Sequence, residues 1–437
     1  MTVGTAEENP NDRRMALALE WDELVAQVRK LDGFKDFLRP PAVEDLLPAA
    51  ERGPVVVINA SRWRCDALIV RPDGVHPVPL PALTLEETAR RANDYLDKLR
   101  AVEAADAALI DAQNALGAES GREAIRRERT ATQEVDRTQT AVDEMLADLQ
   151  VWMWDTIAAP VLAELGFDQT PPGGTSTWPR LWWCPTGALT VLPIHTAGYH
   201  SDPADQRRTV LDRVVSSYTP TLRALLDARD PGRRKPTPAG ETDRLLLVSV
   251  GKAEGQIPLE TGRERDVLLE LFPGDLCTDL NEDDATRERV RQALGAHRWV
   301  HFSCHGDQDL RDPSQGGVWL HDGMLTIDDL TTEQFDGDFA GLSACKTAMG
   351  GIDLLDEAIT LAAALHYLGY RHVVATLWSV TNDHSSEIFT GIYQRMAADG
   401  QLRPDVAAVA LHDAVRTLRD RDPGYPHRWT PFTHTGP

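Results

Sequence analysis

The chain has 437 residues, 42% of them apolar and 26% charged, with a net charge of −23. That length favours two or three domains around a large buried core, and the negative balance argues against nucleic-acid or anionic-membrane partners unless a local basic patch exists. Five cysteines (65, 184, 277, 304 and 345), odd in number and without a C-x-x-C, argue against a disulfide framework or a structural zinc site. No apolar run approaches the ~20 residues of a membrane span. The opening MTVGTAEENPNDRR lacks an apolar signal core, so the expected location is cytoplasmic.

Residues 12–31 carry Leu17, Trp21, Leu24, Val25 and Val28 at helical spacing, and 42–50 reads as a second short helix. GPVVVINASRWRCDALIVRPDG reads as strand, turn and strand. A helix opens at Thr84, with Glu87 three residues on as in a capping box, and helical character continues to about 166 with a break near Gly117–Gly121. Within it, Val142, Met145, Leu146, Leu149, Trp152 and Met153 form an apolar stripe expected to pack on a core. Beyond PPGG, the segments LWWC, ALTVLP and VVSSY are short strand candidates. The polar DPGRRKPTPAGETD (230–243), with the chain's densest basic loop run, is the best boundary.

From there strands and helices alternate. LLLVSV, WVHFSC, FAGLSAC and RHVVATLW are strands, GVWLHDGMLT is a hairpin turned at Asp322–Gly323, and helices are expected over 260–271, 283–297, 354–368, 384–398 and 405–419. Asp353 is the expected N-cap of the third, with Asp356 and Glu357 near its positive end. Such alternation predicts an α/β fold with a mainly parallel sheet flanked by helices.

Ligands of such sheets bind beyond the C-terminal strand ends. That rule selects His305–Gly306, Cys345 and Trp378–Ser379–Val380. Cys304 and His305 are adjacent on a strand and face opposite ways, so they are poorly placed as a pair. Cys304 belongs with Val300 and Phe302 as core. Cys345 ends its own strand and meets His305 if the two strands are neighbours. A thiolate nucleophile with an imidazole to move its proton would then be available, with backbone N–H groups of Gly306 and Cys345 as oxyanion donors. The alternative is that both residues are structural. Asp307 and Asp309 either orient His305 and attract a basic substrate, or are solvated loop acids. His301 and His305 stand four apart, but on a strand, without a third metal ligand placed by spacing. Lys346 and Gly350–Gly351 flank the cysteine. The tryptophans at 152, 154, 178, 182 and 183 form either an internal interface or a partner surface.

VHFSCHG, DGMLTIDDL, LSACKTAMGG, DEAITLAAALHYLGYRHVVATLWSV and the closing WTPF, in that order, resemble the CHAT family of caspase-like proteins, often fused to tetratricopeptide repeats. No repeat of 20 to 50 residues is apparent in this chain. The resemblance implies a caspase-like fold: an N-terminal helical link (1–50), a non-catalytic pseudo-caspase half with long helices (51–240), and a catalytic half (241–437). The family's histidine falls on His305 and its cysteine on Cys345. The caspase Q-A-C-x-G signature is absent, so no preference for aspartate is expected. Trp378, Ser379 and Val380 are the expected substrate contacts by strand addition, and Asp307 is a further expected substrate contact. The function implied is a cysteine endopeptidase acting on a protein, latent until a partner or ligand activates it, in prokaryotic defence or cell death. No metal or cofactor is expected. The rival readings are a silent caspase-fold scaffold and a small-amide hydrolase or acyl transferase.

Overall fold

A computed structural model describes residues 10–31, 34, 37–118, 121–230, 232, 244–253, 256, 258–308, 312–331, 333–344, 347, 360–397 and 402–437. Contacts divide the chain into two units, residues up to Leu46 and Leu47–Pro437. The first contains α1 (Pro10–Val28) and α2 (Val43–Leu46). The second contains all the remaining elements.

It begins with β1 (Val55–Asn59) and β2 (Asp66–Arg71), the expected antiparallel pair, to which a two-residue turn adds β3 (Gly74–Pro79). The Thr84 hydroxyl then accepts from the Glu87 amide at 3.2 Å and starts α3 (Leu85–Ala118). It is followed by α4 (Arg122–Met153) and α5 (Ala159–Leu165), which ends at Gly166 in the left-handed conformation (φ 70°). A π-turn at Trp154–Ala158 separates α4 from α5. Its cause is Pro160, which has no N–H for the Thr156 carbonyl and would crowd it in a regular helix.

Next come β4 (Arg180–Pro185), the short β5 (Gly198–Tyr199) and β6 (Arg208–Thr209), β7 (Val215–Tyr218) and α6 (Leu222–Arg229). The expected strand in ALTVLP is instead a 3-10 turn, Gly187–Val191. Gly187 at φ 58° breaks the extended path, and the turn tucks Leu189 and Val191 into the core.

The alternating region supplies β8 (Leu245–Ser249), α7 (Gly262–Leu271), β9 (Cys277–Asn281), α8 (Arg287–Leu294) and β10 (Trp299–Ser303). The small strands β11 (Gly306–Asp307), β12 (Gly317–Leu320) and β13 (Gly323–Thr326) lead into α9 (Ile327–Leu330). Then follow β14 (Phe339–Ser343), α10 (Leu361–Tyr367), β15 (His372–Thr376), α11 (Asn382–Met396), α12 (Ala407–Arg421) and β16 (Phe432–Thr435). Of the helix expected over 354–368, the described part is α10. Thr360 is extended, and its hydroxyl caps the helix by accepting from Ala363 N at 2.9 Å. Asp353, Asp356 and Glu357 lie outside the described residues.

Among the described residues, eleven strands form one sheet in the order β3-β2-β1-β4-β7-β16-β15-β14-β10-β8-β9. Neighbours from β1 to β16 through β4 and β7 are parallel, as are those from β15 to β9. β16 is parallel to β7 and antiparallel to β15. The two flanks of the sheet therefore run in opposite directions, and β16 is the seam. Helices cover both faces. On the carboxy flank, Leu246, Val248, Val300, Phe302 and Leu342 pack under α8 and α10, while Leu245, Leu247, Trp299 and Phe339 pack under α7, α11 and α12. On the amino flank, Ile58 and Ile69 face the α3–α4 hairpin. Among the described residues, no helix is long and apolar enough to cross a membrane.

A buried polar chain crosses the seam. Arg180 donates to the Ser217 hydroxyl (2.8 Å), which lies 2.8 Å from His434 Nδ1. His434 Nε2 is 3.1 Å from His372 Nδ1, and His372 Nε2 is 3.5 Å from Asp405. One tautomer satisfies it in a single direction: Ser217 donates to His434, His434 to His372, and His372 faces the carboxylate. Both imidazoles are then neutral.

Among the imidazoles that burial holds below their ordinary range are His200, His366 and His372 at about 4, His195 and His412 at about 3, and His434 well down. Unfolding frees each to bind a proton near pH 6.5. The stability tied to them is complete above about pH 6.5 and is lost as the pH falls toward about 4. The melting temperature is expected to drop steadily from pH 7 to 4.5. His412→Phe, which removes one imidazole, is expected to lessen the slope by up to about 1.4 kcal/mol per pH unit. Urea titrations across that range measure this.

Candidate active site

β10 and β14 are parallel neighbours, with Ser303 opposite Ser343. Odd-numbered residues of both strands face α7 and α11, and even-numbered ones face α8 and α10. Cys304 is accordingly buried with Val300 and Phe302.

His305 is half-buried just past β10, and Trp319 N donates to its carbonyl at 2.7 Å. Gly306 pairs with Val318 and Asp307 with Gly317 in the small sheet β11-β12-β13. Since 305 and 319 form the hydrogen-bonded pair, the Gly306 pair is the non-bonded kind. The Gly306 N–H therefore points away from β12, from the outer strand of that sheet. On its other side Gly317 lets β13 approach β12 closely, because a Cβ there would stand 2.1 Å from the Leu325 carbonyl oxygen. Asp307 is exposed, and its carboxylate accepts from Gln308 N at 2.9 Å.

Cys345, Lys346, Gly350, Gly351 and Asp309 lie outside the described residues. The residues on either side of the cysteine are tied down. Thr376 Oγ1 donates to the Ala344 carbonyl (2.8 Å), as does Thr347 Oγ1 (3.1 Å). Thr376 N donates to Thr347 Oγ1 (3.2 Å), and Ala362 N to the Thr347 carbonyl (2.9 Å). Thr347 and Thr376 are both buried.

Beneath the histidine, on the odd-numbered face, lies a buried polar floor. Ser303 Oγ donates to Glu264 Oε2 at 2.6 Å, and Glu264 Oε1 is 3.4 Å from His301 Nε2. The His301 ring meets Phe389 and Tyr393 edge-on, with Gly341 leaving room for it. Burial keeps the Tyr393 phenol protonated far above its ordinary range. Ser343 Oγ lies 2.7 Å from Ser385 Oγ of α11. Sequence reasoning missed Glu264, Thr347, Thr376 and Ser385. Each acts on a residue of another element, which no local pattern reports.

Trp378 does not stand at the surface. It is 4% exposed, packs in the core of the amino flank and meets Tyr95 edge-on at 5.8 Å. Ser379 is exposed and Val380 half-buried. Trp182 and Trp183 are fully buried, and Trp178 packs on His412 of α12, so these tryptophans are internal. Among the described residues, no group of three His, Cys, Asp or Glu could hold a metal ion.

The CHAT domain family model matches residues 148–437, more than half of the chain. The chain belongs to the CHAT domain family. No curated protein matches it by sequence. Two solved structures of the Saccharomyces cerevisiae separase–securin complex, at 3.0 and 2.6 Å, match with a TM-score of 0.55 and 9% identity. They cover 90% of this chain, which spans 30% of theirs. A complex of the pro- and mature domains of RgpB from Porphyromonas gingivalis matches with a TM-score of 0.42 and 12% identity, over 68% of this chain and 76% of that one. The separase likeness shows the fold: this CHAT protein has a caspase-like architecture, that of a group of cysteine peptidases.

The Ser303–Glu264 bond joins α7 to β10 under the candidate site. Ser303→Ala would leave a buried carboxylate oxygen without its donor, and a loss of about 1–3 kcal/mol is expected. Urea unfolding of the variant against the parent gives the value. An unchanged midpoint would show that the carboxylate finds another donor.

Proposed function

We propose that this CHAT protein is a cysteine endopeptidase acting on protein substrates through His305 and Cys345. One observation carries the proposal. β10 and β14 are parallel neighbours with Ser303 opposite Ser343; His305 is two residues past the first serine, and Cys345 two past the second. Two residues is one strand period, so continued strand alternation would carry both positions to the same odd-numbered face.

In the proposed reaction the Cys345 thiolate attacks the scissile carbonyl carbon, and His305 takes the thiol proton. The C–N bond breaks as His305 returns that proton to the leaving amine. Water then cleaves the thioester and restores the thiol. The oxyanion is held by the outward N–H of Gly306, with the amide of Cys345 as second donor. Asp307, Ser379 and Val380 are proposed to line the substrate path. Trp378, being buried, supports that path from behind. Anchoring of the Ala344 carbonyl by Thr376 and Thr347 favours a nucleophile held in one place. We propose further that a protein partner or ligand releases the activity.

The test is a count of new N-termini by mass spectrometry. Host lysate is incubated with the wild type, with Cys345→Ala and with His305→Ala, in the presence and absence of candidate partners. Cuts made only by the wild type are expected, with either variant reducing the rate about ten-thousand-fold. Identical profiles with a partner shown to bind would leave the caspase fold as a scaffold. Once a substrate is known, Thr376→Val is expected to lower kcat about tenfold with little change in KM, and Thr376→Ser to restore it.

A further inference from the structure

On the face of the amino flank that packs under α6, three arginines gather around Trp182. Arg180 opens β4, Arg229 closes α6, and Arg52 stands just before β1. The guanidinium carbons of Arg180 and Arg229 lie 4.7 and 4.6 Å from the centroid of the Trp182 ring, which is fully buried. Gly53 brings Arg52 to them. It adopts φ 143°, and a Cβ there would stand 2.6 Å from the Arg180 carbonyl oxygen and 3.0 Å from the Trp182 ring. A glycine is what lets the corner before β1 pack so closely.

The three charges are not paired. Among the described residues, none of them forms an ion pair. Arg180 donates to the Ser217 hydroxyl (2.8 Å) and Arg229 to the Ala49 carbonyl (2.5 Å), both neutral acceptors. Arg180 Nε, Arg229 Nε and Arg229 Nη2 are buried without an acceptor among the described residues. Two carboxylates stand in the neighbourhood. Asp405 is 3.5 Å from His372 and 3.9 Å from Arg371, and Glu51 is exposed to water. Burial, and after it the neighbouring guanidiniums, bring Arg180 and Arg229 down to about 10, so both stay charged at neutral pH.

Gathering like charges and taking donors out of water both cost free energy. Stacking on an aromatic ring offsets part of that cost, but it supplies neither a counter-charge nor an acceptor. An oxyanion supplies both. Guanidinium forks match the paired oxygens of a phosphate, and three positive charges suit a dianion better than a carboxylate. Arg52 is exposed and the other two are half-buried, so the cluster opens to solvent. On a chain of net charge −23, it is a local patch of the opposite sign.

We propose that Arg52, Arg180 and Arg229 form a binding site for a phosphate group. The site belongs to the amino flank and is independent of the dyad. Arg180 also heads the polar chain that crosses the seam through Ser217, His434 and His372 to Asp405. A phosphate held there fixes the donor end of that chain, and so ties ligand binding to the strand that joins the two flanks.

The test is calorimetric titration of the full chain at low, constant ionic strength. The probes are inorganic phosphate, pyrophosphate, blocked phosphoserine, blocked serine and acetate. Phosphate and pyrophosphate are expected to bind, and blocked serine is not. Binding of blocked phosphoserine as well identifies a site open to a phosphorylated chain, and its failure to bind identifies a site for the free anion. Arg52→Gln and Arg229→Gln are each expected to weaken binding about tenfold. Arg52 is exposed, so its variant tests the site without disturbing the core. Arg52→Lys keeps the charge and is expected to recover part of the loss. No binding of either phosphate or pyrophosphate at millimolar concentration overturns the proposal. So does equal affinity for acetate and phosphate, or an affinity unchanged in Arg52→Gln.

Discussion

The architecture depends on the pairing of one short strand. β16 inserts between β7 and β15 and joins two flanks of opposite direction into a single sheet. Without it both neighbours would be open edges, rich in apolar residues and prone to pair with other chains. The strand is not held by apolar contact alone. Gly436 N donates to the Tyr218 carbonyl and Trp182 Nε1 to the Gly436 carbonyl, so the residue after the strand is tied to both β7 and β4 of the amino flank. Gly436 adopts φ 125°, and a Cβ there would stand 2.0 Å from the Arg371 carbonyl oxygen. The polar chain from Arg180 to Asp405 adds direction. Each hydrogen bond in it has one sensible donor, so a slipped register would strand two buried imidazoles without partners.

Much of the carboxy flank was legible. Its strands are buried on both faces and read as continuous apolar runs such as LLLVSV, while its helices carry the longer period between them. The place of Cys304 in the core was also legible, because strand parity alone separates it from its neighbour His305. β16 was not. FTHT is short and half polar, and its hydroxyls and imidazole make sense only beside Ser217 and His372. ALTVLP misled in the opposite way: its apolar content suited a strand, but the glycine before it turned the chain. Trp378 was read from its place at a strand tip, and the core of the opposite flank claimed it. Rules about strand ends locate a region, and packing decides which side chains remain there.

The candidate active site is supported from three directions. The small sheet sets the backbone around Gly306. A pair of threonine hydroxyls fixes the carbonyl before the cysteine. The Ser303–Glu264–His301 group, braced by aromatic rings, forms the floor. These supports come from α7, β15 and the small sheet, which are separated in sequence and meet only after the sheet is built. Precision at such a site is a property of the assembled carboxy flank rather than of any motif.

The position of β16 has a further consequence for how the chain is made. Residues 432–435 leave the ribosome after every other strand of the sheet, yet they occupy its middle. The strands of each flank can pair among themselves during synthesis, but neither flank has its inner neighbour until the last segment emerges. Long-range closure of this kind is slow, and the waiting edges are exposed meanwhile. A chain from which residues 432–435 have not yet emerged therefore cannot contain the joined sheet. Whatever depends on the joined sheet is confined to chains that have been read through to residue 435.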